Sequence, residues 1–121
     1  MHEITGEVGS VVRDSGVGQG LCTVYMPHTS ASLVIQENAD PSAQRDLERW
    51  LARLVPEDDR LYTHTTEGAD DMPAHIKAAL TATSLSIPVL EGSLCLGTWQ
   101  GIFLWEHRRA RGTRQVVVHV A

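Results

Sequence analysis

From Leu85 on, the apolar pattern of this chain changes to a period of two. Leu85, Ile87 and Val89 alternate with other residues, Glu91-Gly92-Ser93 interrupts as a turn, and Leu94-Cys95-Leu96 continues the run. Ile102 to Glu106 and Val116-Val117-Val118 follow, separated by a basic turn from Arg108 to Thr113. Period-two alternation buries one face of a strand, and turn-length gaps between such runs require antiparallel neighbours. This part of the chain is expected to form an antiparallel meander, with the residues before it covering its apolar face.

The earlier residues mix both periods. Ile4, Val8, Val11 and Val12 fall at helical spacing, with Thr5 as the cap and Ser15-Gly16 as the stop. Gly16 to Gly20 is a turn, and Leu21 to Met26 reads as a buried strand. Pro27 breaks that strand and Ser32 to Gln36 resume it, which leaves His28 to Ser30 at a break or bulge. Asp40-Pro41 is a helix start, with Leu47, Trp50, Leu51 and Leu54 on one stripe and Pro56 as the limit. Residues 56 to 71 form a long acidic loop, after which Pro73 opens a third helix with Ile76, Ala79, Leu80 and Thr83 on one face. The reading is α+β: one domain over residues 1–121, with about three helices interrupting packed, mainly antiparallel sheets.

Bulk properties narrow the function. A net charge of −5 argues against a general nucleic-acid binder, and 42% hydrophobic residues argue against disorder. No apolar run approaches the ~18 residues of a membrane span, and no signal peptide is visible, so a cytoplasmic location is expected. Cys22 and Cys95 sit in strand-like runs without CxxC spacing and read as reduced core thiols.

Chemistry concentrates in His64-Thr-Thr-Glu67-Gly-Ala-Asp70-Asp71-Met-Pro-Ala-His75-Ile-Lys77, which also holds the only lysine of the chain. A metal site needs three or four N, S or O donors, and His28, His64 and His75 are candidates with nearby carboxylates as partners. The competing reading is three unrelated polar histidines. Glu67, Asp70 and Asp71 are either a solvated loop before a helix or an acid–base or cation site. Gly97-Thr98-Trp99-Gln100-Gly101 is either a bulged hairpin with a core tryptophan or a ring-binding segment. Arg108, Arg109, Arg111 and Arg114 are either a solvated turn or an anion contact. His2, His107 and His119 have no such company and read as ordinary histidines, and no P-loop or GxSxG elbow is present.

Taken in order, His28-Thr-Ser-Ala-Ser32, Glu37-Asn-Ala-Asp-Pro41, the Glu67–Lys77 run, Ile87-Pro88, and Leu96-Gly-Thr-Trp-Gln100 followed by Glu106 and Arg108 resemble the YjbQ family. The resemblance covers about residues 3 to 120, and its motifs are long and specific. Members of that family are often described as secondary thiamine-phosphate synthases. The resemblance implies an α+β homotrimer and a pocket near subunit contacts. It also implies a divalent metal, zinc by preference, on His28, His64 and His75. Asn38, Asp71, Thr98, Gln100 and Glu106 are expected around that site.

The reaction it implies joins a hydroxymethylpyrimidine diphosphate to a thiazole phosphate and releases pyrophosphate. Asp71, Glu106 and Lys77 are the catalytic candidates, and Thr29, Ser30, Asn38, Thr98, Trp99, Gln100 and Arg108 the substrate-binding ones. The expected partner is a small phosphorylated molecule, with neither nucleic acid nor membrane. A metal-dependent hydrolase of a small phosphorylated or amide substrate and a non-catalytic metal- or metabolite-binding protein are the rivals. Family members usually begin with a strand before the first helix, whereas this chain starts almost at the helix. Either that strand is absent or the start site is misassigned.

Overall fold

The structure is a computed structural model that describes residues 1–110 and 112–121; Arg111, grouped above with the basic turn, lies outside the described residues. A two-residue strand, β1 (His2–Glu3), precedes helix α1 (Thr5–Ser15), so a strand before the first helix is present, though short. Strands β2 (Gln19–Tyr25) and β3 (Ala31–Glu37) follow, then helices α2 (Pro41–Leu54) and α3 (Asp71–Leu80). Strands β4 (Ser84–Leu90), β5 (Ser93–Leu94), β6 (Gln100–Glu106) and β7 (Val117–Val120) complete the chain. All strand pairs are antiparallel, in one sheet ordered β1-β6-β3 and another ordered β5-β4-β2-β7. The fold is therefore α+β, as the two periodicities imply, but the expected meander does not form: β6 lies between β1 and β3, while β4, β5 and β7 belong to the other sheet.

The sheets face each other across one core. Val8 and Val12 of α1, with Ile4, meet Cys22 and Val24 of β2, Ile87 and Val89 of β4, and Ala31, Leu33 and Ile102 of the other sheet. A smaller cluster joins Leu51 and Val55 at the end of α2 to Trp105, with Ile76 of α3 against it. The β3–β6 pair thus has apolar residues on both faces, which ties it to the helices as well as to the second sheet. Among the described residues, no helix is long and apolar enough to cross a membrane.

Local chemistry explains most boundaries. Asp40 accepts a hydrogen bond from the Ser42 amide at 2.9 Å and Pro41 opens α2, as expected. Gly16, with φ 71°, closes α1 in the left-handed conformation that glycine adopts without strain. Leu90 pairs with Ser93 across a Glu91-Gly92 turn in which both residues have positive φ.

Some expectations fail. Thr5 is not the cap of α1. Ile4 holds that position, and the Thr5 hydroxyl instead accepts from the Ile102 amide at 2.9 Å and donates to Glu3. Helix α3 begins at Asp71, two residues before Pro73, because the first helical turn has no intrahelical use for the N–H that proline lacks. Its buried side is Asp71, Pro73, Ala74 and Ala78, while Ala79 and Leu80 are exposed and Thr83 lies beyond the helix. Of the α2 stripe, Leu51 is buried but Trp50 and Leu54 are exposed. Cys22 is a buried free thiol, whereas Cys95, just past the two-residue β5, is exposed rather than in the core.

Gly101 offers a direct packing test. A Cβ there would lie 2.7 Å from Glu3 Oε2 and 2.8 Å from Asn38 Cβ. Glu3 Oε2 accepts from the Thr5 hydroxyl and the Asn38 side-chain amide, and the Asn38 backbone N–H is tied to the Trp99 carbonyl, so neither neighbour yields freely. Gly101→Ala is expected to destabilise the protein by about 1–2 kcal/mol through overpacking. Urea denaturation measures this, and an unchanged midpoint would contradict the packing argument.

Candidate metal centre

The acidic loop and α3 meet at one carboxylate. Asp71 is the first residue of α3 and His75 lies one turn later, so both project from the same face. His64 arrives from the preceding loop, which reverses at Gly68 with φ 109°. Asp71 Oδ2 is 2.9 Å from His64 Nε2 and 3.1 Å from His75 Nε2. The nitrogen and oxygen donors of His64, Asp71 and His75 all lie within 4.8 Å of one another. The Asp71 side chain is 6% exposed, His75 29% and His64 52%, so the cluster opens to solvent on the His64 side.

The orientation of His75 is fixed from behind. Its Nδ1 is 2.9 Å from the Thr29 carbonyl oxygen, which can only accept, so Nδ1 carries the hydrogen. In the neutral ring Nε2 then presents a lone pair to the lone pairs of Asp71 Oδ2. A positive charge between them, a proton or a metal cation, removes that conflict. Ligating histidines characteristically have such a carbonyl behind the second ring nitrogen.

Arg108 anchors the other side of Asp71. Its Nη1 donates to Asp71 Oδ1 at 2.6 Å and its Nη2 to the Glu67 carbonyl at 2.9 Å. Its Nε, buried and without a hydrogen-bond partner, is 3.2 Å from Asp70 Oδ2. Asp70 also accepts from the Arg109 amide at 2.9 Å, the main reason its carboxyl is held below the usual range. Burial pushes the Asp71 carboxyl up, but His75, His64 and Arg108 together outweigh it and keep the group anionic.

The expected site residues divide into separate places. His28 is not part of the cluster: its Nε2 accepts the Gln115 amide at 2.9 Å and is already occupied. It lies instead along a groove with Thr29 and His75. Arg108, expected as a substrate contact, instead spends both Nη groups on Asp71 and the Glu67 carbonyl. Glu106 is committed to Arg114, with the closest contact 2.6 Å, and the Ser30 hydroxyl accepts from the same guanidinium at 2.8 Å.

Lys77 is two residues from His75, about 200° around the helix. It lines a different cavity, of about 220 Å³, with Trp105, Glu106, His107 and Arg108. Asn38, Thr98, Trp99 and Gln100 do not surround the cluster at all. Gln100 pairs with Glu37 at one end of the β3–β6 pair, and Glu106 pairs with Ala31 at the other. Six strand steps separate these ends, roughly 20 Å, and the Thr29 carbonyl behind His75 belongs to the Ala31 end.

His107, read from sequence as an ordinary histidine, is buried. Its Nε2 is 2.8 Å from the Ser32 hydroxyl, and its ring stands beside Trp105. The alternation Phe103, Trp105, His107 was the available signal, since it carries His107 to the buried side just past β6. The Thr29 carbonyl, which a list of side chains cannot show, is the other functional group that the sequence concealed.

A family profile described as UPF0047 protein YjbQ-like matches residues 1–121, and the chain belongs to this family. The UPF0047 protein sll1880 of Synechocystis is 59% identical over 121 residues, which are all of this chain and 82% of that protein. The UPF0047 protein YjbQ of Escherichia coli O157:H7 is 46% identical over 117 residues, 96% of this chain and 84% of the relative. A crystal structure of an uncharacterized conserved family protein from Clostridium acetobutylicum superposes with a TM-score of 0.90 at 41% identity. That match covers 98% of this chain and 88% of the other.

Proposed function

We propose that this YjbQ-family protein is a divalent-metal enzyme acting on a small phosphorylated substrate, with zinc on His64, Asp71 and His75. The observation that carries the proposal is the His75 imidazole, whose Nδ1–H is committed to the Thr29 carbonyl while its Nε2 faces Asp71. Two imidazoles and one carboxylate suit zinc and leave room for an exchangeable position. Bound there, the cation would supply positive charge to a phosphate or diphosphate oxygen. The protein's own part is orientation: Thr29 aims His75, and Arg108 holds Asp71 anionic and in place.

The specific reaction to test first is thiamine-phosphate synthase-type condensation of a hydroxymethylpyrimidine diphosphate with a thiazole phosphate. Metal-dependent hydrolysis is the second reading. It is favoured by the position of Trp99, which within one chain is too far from the cluster to cover a pyrimidine there. Elemental mass spectrometry of untagged protein prepared without chelator is expected to give about one zinc per chain, absent in His75→Ala. A protein that takes up no metal after zinc incubation and removal of the excess would overturn the metal site. With metal present, pyrophosphate release from the paired substrates separates condensation from hydrolysis.

The assembly we propose is a homotrimer. Leu21, Tyr25, Leu90 and Val117 are exposed on the sheet containing β2, β4 and β7, and an apolar sheet face of this kind favours association. Light scattering is expected to return three times the 13.3 kDa of one chain. A monomer mass at micromolar concentration would contradict the trimer.

A further inference from the structure

The face of α3 that carries His75 continues into a groove of about 460 Å³ lined by His28, Thr29, Ala78, Ala79 and Thr83. His28, Thr29 and Thr83 also line a second cavity of about 640 Å³ that extends to Tyr25 and Arg114, so the two are contiguous. We infer that this groove binds the aromatic body of the substrate whose oxygen-bearing head meets the cation on His64, Asp71 and His75, an inference that rests on the metal reading above.

Three features select such a ligand. Ala78 and Ala79 give a shallow apolar floor, with small side chains where larger ones would fill the space. His28 and His75 bring two flat rings to the groove, which suits a planar guest better than a branched one. His28 spends Nε2 on the Gln115 amide, so in the neutral ring Nδ1 carries the hydrogen. That N–H and the hydroxyls of Thr29 and Thr83 provide hydrogen-bonding groups for a ring heteroatom. Arg114, farther along, is already engaged by Glu106 and adds no free cation, so a second phosphate is not what this end selects.

Two chelating probes separate the groove from the metal. Acetohydroxamate presents only a metal-binding head, whereas benzohydroxamate adds one aromatic ring. On zinc-loaded protein, benzohydroxamate is expected to bind about tenfold more tightly, after correction for the two probes' affinities for free zinc. Ala79→Leu, at an exposed position that tolerates a larger side chain, is expected to bring the ratio to about one. Equal binding of both probes to the zinc-loaded wild type would overturn the groove and leave the metal site standing. Equal binding is also the result if a second copy of the chain covers the groove. Persistence of the preference in Ala79→Leu would likewise place the ring elsewhere. Protein that holds no zinc removes the metal reading and this inference together, and metal content tells that case from the others.

Discussion

Asp71→Asn is expected to lower zinc affinity by about a hundredfold or more, a larger effect than the loss of a group that merely supports a ligand. The single oxygen Oδ2 lies against both Nε2 atoms, so this carboxylate provides the negative charge that the two imidazoles share. An amide has the same shape but no charge. Its nitrogen would also place two hydrogens either against the imidazoles or against the Arg108 guanidinium. Asp71→Ala goes further, because Arg108 then retains only Asp70 and the Glu67 carbonyl. A guanidinium that loses its best partner in a largely enclosed site destabilises the fold. Asp71→Ala is therefore expected to melt below Asp71→Asn, with both lacking zinc. Competition with a chromogenic chelator and a thermal melt of the two apo-proteins test this. Wild-type zinc affinity in Asp71→Asn would remove Asp71 from the ligand set.

That comparison also shows what the sequence could express. His64, Asp71 and His75 lie within twelve positions, and their convergence needs only one helical turn and one reversal at Gly68. Such local geometry is legible in a single chain. The same holds for Asp40-Pro41 and Gly16, whose roles depend on neighbouring backbone alone. His28 was harder. It stands between β2 and β3, which belong to different sheets, so the segment is a crossover and not a bulge in one resumed strand, and Gln115, distant in sequence, claims its Nε2.

Asn38 and Trp99 illustrate a different limit. They do meet, through the Asn38 amide and the Trp99 carbonyl, but at the end of the β3–β6 pair away from the histidines. A list of motifs in order cannot tell which end of a strand each one occupies, and strand direction decides that. Lys77 fails for an angular reason, since a spacing of two on a helix points two side chains to nearly opposite sides. The charge reading for Arg108 had the right chemistry and the wrong partner: the anion it binds is Asp71 of the same chain.

His107 gives the second large effect, on stability against acid. Burial first, then the positive charges of Lys77, the N-terminus and Arg114, push its pKa from 6.5 down to about 4. The folded protein thus prefers the neutral ring, whereas the unfolded chain accepts a proton as pH falls below 6.5. This contribution to stability is complete above the unfolded pKa and is lost as pH falls from 6.5 through about 4. The full displacement would correspond to about 3 kcal/mol, and solvent at the partly accessible edge of the ring reduces that to about 2 kcal/mol. His107→Gln can keep a hydrogen bond to Ser32 without the titration. Wild type is therefore expected to lose about 2 kcal/mol more than His107→Gln between pH 7 and pH 4.5. Urea midpoints at several pH values measure the difference, and carboxylates common to both proteins cancel from it. Parallel pH profiles would mean that the buried imidazole accepts its proton in place, with the Ser32 hydroxyl as acceptor, and does not limit the acid stability of the fold.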